Sequence, residues 1–142
     1  MTFLGASEVI AITRKDLSQL YYLKREIKSD EQRLRDLKDA ATKITQSMSG
    51  MPGSGKKSDK TAIAAEIADL ENIIRSKNQM CVAHYNRIMR YVAEIDDSFM
   101  RQIIVYRHVD LMKWRDIAQK IGGGNTEDGI RMAYTRFVEK DT

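Results

Sequence analysis

The segment SGMPGSGKKSD, residues 49–59, comes closest to a chemical motif in this chain of 142 residues. Gly50, Gly55 and Lys56 match the G-x-x-x-x-G-K spacing of a loop that binds the phosphates of a nucleotide. Such a loop needs a buried strand before it and a serine or threonine directly after the lysine to bind magnesium. Here a charged, helix-like sequence precedes the segment, and a second lysine follows the first. We therefore interpret residues 46–59 as a flexible joint between two helices.

Few other residues have the spacing of a metal or catalytic site. Cys81 and His84 lie three positions apart, so one side of a helix could present both, but zinc needs about four ligands and the chain has one cysteine. We expect both residues to pack in a helical seam. His108 has no evident carboxylate or serine partner, so we expect a surface or capping role for it. The sequence indicates neither an enzyme nor a cofactor or metal.

Composition favours a helical protein of a reducing cytoplasm. The chain has a single proline, which suits helices, and a single cysteine, which excludes an internal disulfide. No apolar run approaches the length that spans a membrane, and the first residues lack the basic start of a signal peptide. We therefore expect a cytoplasmic protein without a membrane partner. The net charge of +4 is a weak indication of a polyanionic partner.

Apolar residues recur with heptad spacing along two long segments, which predicts two coiled-coil helices. The first segment starts near Thr13 and Asp16, and Ser58 or Asp59 can cap the second. The apolar positions of the first are Leu20, Leu23, Ile27, Leu34, Leu37, Ala41 and Ile44. Those of the second are Ile63, Ile67, Leu70, Ile74, Cys81, Ile88, Tyr91 and Ile95. Because a short joint connects the helices, we predict an antiparallel hairpin over residues 1–96.

Two charged residues, Asp30 and Lys77, interrupt the apolar seam of this hairpin. Antiparallel pairing outward from the joint brings Asp30 within about one helical turn of Lys77. We predict that the two charges lie near each other and help to fix the register. The alternative is that each side chain reaches solvent separately.

Residues 97–142 are predicted to form three short amphipathic helices. The first runs from Phe99 to about His108, and Asp96, Asp97 or Ser98 offers its cap. The second covers 113–121, and the third follows a cap at Asn125 or Thr126 and ends near residue 140. The apolar side chains expected to face inward are Phe99, Ile103, Ile104, Tyr106, Trp114, Ile117, Ala118, Ile121, Ile130, Ala133, Tyr134 and Phe137. This pattern is that of a helix-turn-helix, in which Ala118 allows close crossing and Gly122 allows a positive φ at the turn.

The outward side of the third helix carries chemistry suited to a major groove, where arginine reads guanine and threonine or methionine contacts a thymine methyl. Lys113 and Arg115, at the start of the second helix, could contact phosphates. The predicted DNA-binding residues are Lys113, Arg115, Asn125, Thr126, Asp128, Arg131, Met132, Thr135 and Arg136. The alternative is a plain three-helix bundle whose arginines are only solvated.

The segment RQIIVYRHVDLMKWRDIAQKIGGGNTEDGIRMAYTRFV resembles DNA-binding region 4 of bacterial sigma factors. The matching residues are Tyr106-Arg107, the run 114–118, Ile121-Gly122, and Ile130 at the inward position of the last helix. The turn GGGN is about two residues longer than is usual, and nothing resembles the sigma region that melts promoter DNA. The whole chain resembles the ArpU and RinA groups of small phage late-gene activators, whose helical N-terminal part carries a joint comparable to residues 49–55.

This resemblance implies a phage or prophage transcription regulator that binds double-stranded DNA near promoters. Host RNA polymerase is then an expected partner, and the hairpin could also mediate homo-oligomerisation. One alternative is a DNA-packaging subunit of the small terminase type, although the oligomerising helices of those proteins usually follow the DNA-binding domain. Another is a protein-interaction module that sequesters a host protein through the hairpin.

Overall fold

The computed structural model describes residues 12–48 and 54–141, which are helical apart from short caps and turns and contain no strand. The predicted all-α class with a long helical hairpin is confirmed. A five-residue π-helix, Val105–Val109, follows the third α-helix directly. The α-helices are α1 (Arg14–Met48), α2 (Ser54–Ala93), α3 (Ser98–Ile104), α4 (Trp114–Ile121) and α5 (Glu127–Asp141). Within the two described ranges, none of these helices is long and apolar enough to cross a membrane.

Helix α1 starts where the sequence predicted, because Thr13 and Asp16 cap it reciprocally. The backbone N–H of Asp16 donates to Thr13 Oγ1 at 3.1 Å, and that of Thr13 donates to Asp16 Oδ2 at 3.0 Å. This exchange satisfies two backbone donors at the helix start. The bond from the Thr13 backbone lowers the pKa of Asp16, since it favours the ionised carboxylate.

The joint between the hairpin helices is shorter than predicted. Helix α1 extends to Met48 and α2 begins at Ser54, so the expected cap at Ser58 or Asp59 is wrong. The remaining joint, residues 49–53, lies outside the described residues. Extending an existing helix adds one hydrogen bond per residue, and a glycine in it costs only about 1 kcal/mol. Local breakers such as Gly55 therefore did not end the helix where their composition suggested.

The described residues 23–48 and 54–80 form one compact unit, in which the two helices run antiparallel. Lys77 Nζ lies 2.5 Å from Asp30 Oδ2, and Lys38 Nζ lies 3.5 Å from Glu71 Oε2 nearer the joint. The predicted proximity of the two seam charges is therefore confirmed. Leu23 and Ile27 are buried, whereas the seam positions nearer the joint are only half-buried.

A second compact unit comprises described residues 12–22 and 81–141. Its helices share one core, which includes the start of α1 and the end of α2, and the predicted domain boundary at residues 96 and 97 lies inside this unit. The buried core residues are Ile12, Leu17, Leu20, Ile88, Tyr91, Val92, Ile95, Met100, Ile103, Ile104, Ile117, Ala118, Ile130, Tyr134 and Val138. Asp16 Oδ2 also pairs with Arg87 Nη2 at 3.4 Å. The C-terminal helices are thus packed together with the ends of the hairpin helices.

Helix α3 begins at a cap that the sequence predicted, since Asp97 Oδ1 accepts from the Phe99 backbone at 3.0 Å. The first C-terminal helix was expected to be a single α-helix to about His108. It is instead α3 followed by the π-helix, which closes with the backbone bond from Asp110 to Val105. Because a π-turn contains an extra residue, it changes which side chains face the core.

Gly122 ends α4 in a backbone conformation that only glycine adopts readily. Its φ is 66° and its ψ is −151°, and a Cβ there would meet only the Gln119 carbonyl, at 3.9 Å. The predicted positive φ is confirmed, and the requirement for glycine is conformational rather than steric.

Replacing Gly122 with alanine should lower the free energy of unfolding by about 1 to 3 kcal/mol, because alanine must adopt this strained conformation. Urea denaturation at neutral pH measures the effect. Gln119→Ala, an exposed change in the same helix, is the control and should stay within about 0.5 kcal/mol. Equal effects of the two changes would contradict the conformational argument.

Candidate nucleic-acid interface

The start of α4 presents two cations to solvent. Lys113 precedes the helix in an extended conformation, and its side chain is exposed. The side chain of Arg115 is 73% exposed, with Nε 3.9 Å from Asp116 Oδ1. An exposed pair at this distance constrains the arginine weakly. Both cations are therefore accessible to an anionic partner.

Aromatic contacts anchor α4 beside these cations. The Trp114 ring lies 4.9 Å from the Tyr134 ring on α5, and the Arg107 guanidinium lies 4.5 Å from the centre of the Trp114 ring. Arg107 Nη1 also donates to the Met112 carbonyl at 3.1 Å. The residue spacing predicts no contact for Arg107, which in the structure connects the π-helix to the start of α4 through Trp114 and Met112.

Three glycines with positive φ connect α4 to α5, at 66°, 65° and 81° for Gly122, Gly123 and Gly124. Asn125 Nδ2 donates to the Gly122 carbonyl at 2.7 Å, which closes the turn. Thr126 Oγ1 accepts from the Gly129 backbone at 3.0 Å and caps α5. The predicted cap is confirmed. In the free protein, the Asn125 and Thr126 side chains thus stabilise the turn and the helix start.

The inner side of α5 is buried as the spacing predicted. Ile130 and Tyr134 are 1% and 2% exposed, and Ala133 and Phe137 are half-buried. Val138 is also fully buried, although it is not among the residues predicted to face inward. Ile130 therefore faces inward despite the long turn.

The outer side of α5 is exposed and chemically mixed. Arg131, Met132 and Arg136 are exposed, and Thr135 is half-buried. Asp128 is also exposed, and its Oδ1 lies 2.8 Å from Arg131 Nη2. Two guanidinium groups, a thioether and a hydroxyl are therefore present within six consecutive residues of one helix.

His108 is buried, so the expected surface or capping role is wrong. The residue is 6% exposed, and its Nε2 lies 2.6 Å from the hydroxyl of Tyr134. The pKa of His108 is lowered to about 4, chiefly by desolvation; the positive charges of Arg107 and Arg14 also lower it, whereas a backbone hydrogen bond with Leu17 raises it. His108 lies four positions after the buried Ile104, and this spacing places both on one side of a helix. That spacing is the sequence signal that could have predicted the burial of His108.

The described residues contain no group of three or more histidine, cysteine or acidic side chains that could hold a metal ion. Cys81 packs half-buried against the core, as the seam interpretation predicted. Comparison of the chain with protein families, curated proteins and solved structures found no match. The features that can indicate a function are therefore the geometry of α4, the glycine turn and α5.

Proposed function

We propose that this protein is a sequence-specific double-stranded DNA-binding transcription regulator of a phage or prophage, acting near promoters. The observation that carries the proposal is the exposed outer side of α5, with Arg131, Met132 and Arg136 accessible. Arginine can donate two hydrogen bonds to guanine, and methionine can contact a thymine methyl. Such a surface suits base recognition better than it suits a solvated bundle.

The dimensions of α5 support docking in a major groove. Its 15 residues span about 22 Å, and a helix with side chains is about 10 to 12 Å wide. The major groove of B-form DNA is about 12 Å wide and admits such a helix. Because Ile130 and Tyr134 hold the opposite side in the core, the outer side can approach DNA without unfolding.

The start of α4 supplies the proposed backbone contacts. Lys113 and Arg115 are exposed there, and phosphate contacts of this kind position a recognition helix without reading sequence. Binding through them releases counterions, so affinity should fall with salt concentration.

The resemblance to sigma region 4 and to phage late-gene activators supports a regulatory role with host RNA polymerase as partner. The hairpin is the proposed protein-contact element. Two apolar side chains seven positions apart on α2, Ile73 and Met80, are 46% and 49% exposed. Association of two copies through this element would allow recognition of paired half-sites.

Arg131→Ala and Arg136→Ala should each weaken binding to the preferred DNA by about 1 to 3 kcal/mol relative to unrelated DNA, because each removes a base contact. Genome-wide DNA capture with the intact protein identifies the preferred sequence, and fluorescence anisotropy then measures both affinities. Arg90→Ala is the matched control, since it removes the same charge from an exposed position on α2.

The control should change the two affinities alike. If the α5 variants behave like Arg90→Ala, these arginines do not read bases. If the intact protein retains no sequence preferentially, the proposed function itself is wrong. Retention of a host protein by a chain that lacks DNA affinity would favour the sequestering module instead.

A further inference from the structure

The ion pair between Asp128 and Arg131 is unusual for a helix side proposed to face DNA. The pair spans three residues, with Asp128 Oδ1 2.8 Å from Arg131 Nη2, and the two side chains are 79% and 49% exposed. Exposed pairs contribute only about 0 to 1 kcal/mol to stability. A carboxylate on this side also repels phosphates, so it weakens binding to DNA of any sequence.

The pair has a geometric consequence for Arg131. A free arginine side chain has about 2 kcal/mol of rotamer entropy to lose when it is fixed. The bond to Asp128 uses one of the five N–H donors of the guanidinium and leaves the others for a base. The carboxylate therefore restricts the orientations of Arg131 before DNA arrives.

We infer that Asp128 is a positioning residue, which orients Arg131 for guanine and increases sequence discrimination while lowering affinity for DNA in general. This inference rests on the proposed function of α5. It gives Asp128 a role through Arg131 rather than through its own contact with a base.

Asp128 is expected to lower affinity for DNA in general and to favour the preferred sequence. Because these two effects have opposite signs, positioning of Arg131 can be distinguished from simple electrostatic repulsion. Asp128→Asn removes a negative charge, so an unrelated duplex should bind more tightly. The same change frees Arg131, so affinity for the preferred duplex should rise less than affinity for the unrelated duplex, or should fall. A residue that acted only through charge or stability would change both affinities by the same factor.

The test uses the full chain and a duplex selected by the wild-type protein from a random pool, with a shuffled duplex of equal composition as comparison. The specificity ratio is the dissociation constant for the shuffled duplex divided by that for the selected duplex. It is measured for wild type, Asp128→Asn and Glu127→Gln. Glu127 is the matched control because it is exposed in the same helical turn and loses the same charge. We expect Asp128→Asn to lower the specificity ratio about fivefold or more, and Glu127→Gln to leave it unchanged.

Two further arms connect the effect to guanine and to the ion pair. Replacing guanines of the selected duplex by 7-deazaguanine removes the N7 acceptor. This change should lower the affinity of the wild-type protein for the duplex more than it lowers the affinity of Asp128→Asn. Asp128→Glu, which keeps the charge and the spacing, should recover part of the ratio. Circular dichroism checks that each variant remains folded.

The failure modes are distinguishable. If wild type selects no sequence, both the proposed function and this inference are overturned. If wild type selects a sequence but Asp128→Asn and Glu127→Gln give equal ratios, the inference is overturned and the proposed function stands. Asp128→Asn could also lose specificity while 7-deazaguanine lowers its affinity as much as that of wild type. That result would overturn the assignment to guanine recognition.

Discussion

Replacing Lys77 with methionine is expected to lower the free energy of unfolding by about 2 to 3 kcal/mol. Lys77 Nζ lies 2.5 Å from Asp30 Oδ2, and Asp30 is only 5% exposed. Removing one partner of a buried pair leaves an uncompensated charge, at a cost of about 3 to 5 kcal/mol. We expect a cost at or below the lower end of this range because Arg33 still donates to Asp30 Oδ1 at 2.9 Å.

The measurement is urea denaturation at neutral pH. The hydrogen bond and charge of Lys77 lower the pKa of Asp30, so the contribution of the carboxylate is complete at neutral pH and is lost as pH falls through the folded-state pKa. Lys28→Met, an exposed change on α1, is the control and should be nearly neutral. Equal effects at the two positions would show that the pair contributes nothing.

Replacing both Asp30 and Lys77 with leucine should not lower the free energy of unfolding, and should leave it unchanged or raise it by up to about 4 kcal/mol. Burying an ion pair carries a desolvation penalty that apolar side chains do not, and leucine would extend the apolar seam. The register role of the pair stays a prediction. If the pair fixes the register, the double variant should be stable but should populate more than one register. Spin labels placed on α1 and α2 would then show more than one distance.

Helix starts were predictable from the sequence because each depends on a side chain bonding to backbone a few residues away. Thr13, Asp97 and Thr126 all cap helices as expected. The start of α2 was not predictable in this way. Ser58 and Asp59 are good cap residues, but the free-energy difference between capping there and extending the helix to Ser54 is small.

The candidate interface followed from helical periodicity once Ile130 was assigned to the core. That assignment determined which residues of α5 face outward, and only Thr135 is more buried than expected. The contact between Arg107 and Trp114 was not found, because it depends on the π-helix and the turn after it. Such a contact requires tertiary geometry that spacing alone does not determine.

Long-range packing explains the error at His108. Its environment includes Leu17 and Arg14 from the start of α1 and Tyr134 from α5, all distant in sequence. The predicted boundary after residue 96 places α1 and the C-terminal helices in separate domains, which excludes a contact between α1 and His108. The shared core of residues 12–22 and 81–141 makes this contact possible.

The burial of His108 predicts that the protein loses stability in mild acid. Its folded-state pKa is about 4, below the ordinary value of 6.5, so the unfolded chain binds the proton more readily. The stability contribution is complete above the unfolded pKa and is lost as pH falls from there towards the folded pKa. Between about pH 7.5 and pH 4.5, this group should lower the free energy of unfolding by about 2 to 3 kcal/mol.

The comparison variant is His108→Gln, which does not titrate but can still hydrogen bond to the hydroxyl of Tyr134. Urea denaturation of both proteins across this pH range separates His108 from carboxylates such as Asp16 and Asp30, because those groups titrate in both proteins. Glutamine should lower stability at about pH 7.5 and should also remove about 2 to 3 kcal/mol of the pH dependence. Parallel pH profiles for the two proteins would mean that His108 accepts a proton in the folded state as easily as in the unfolded chain, and the buried, neutral pair with Tyr134 would then be wrong.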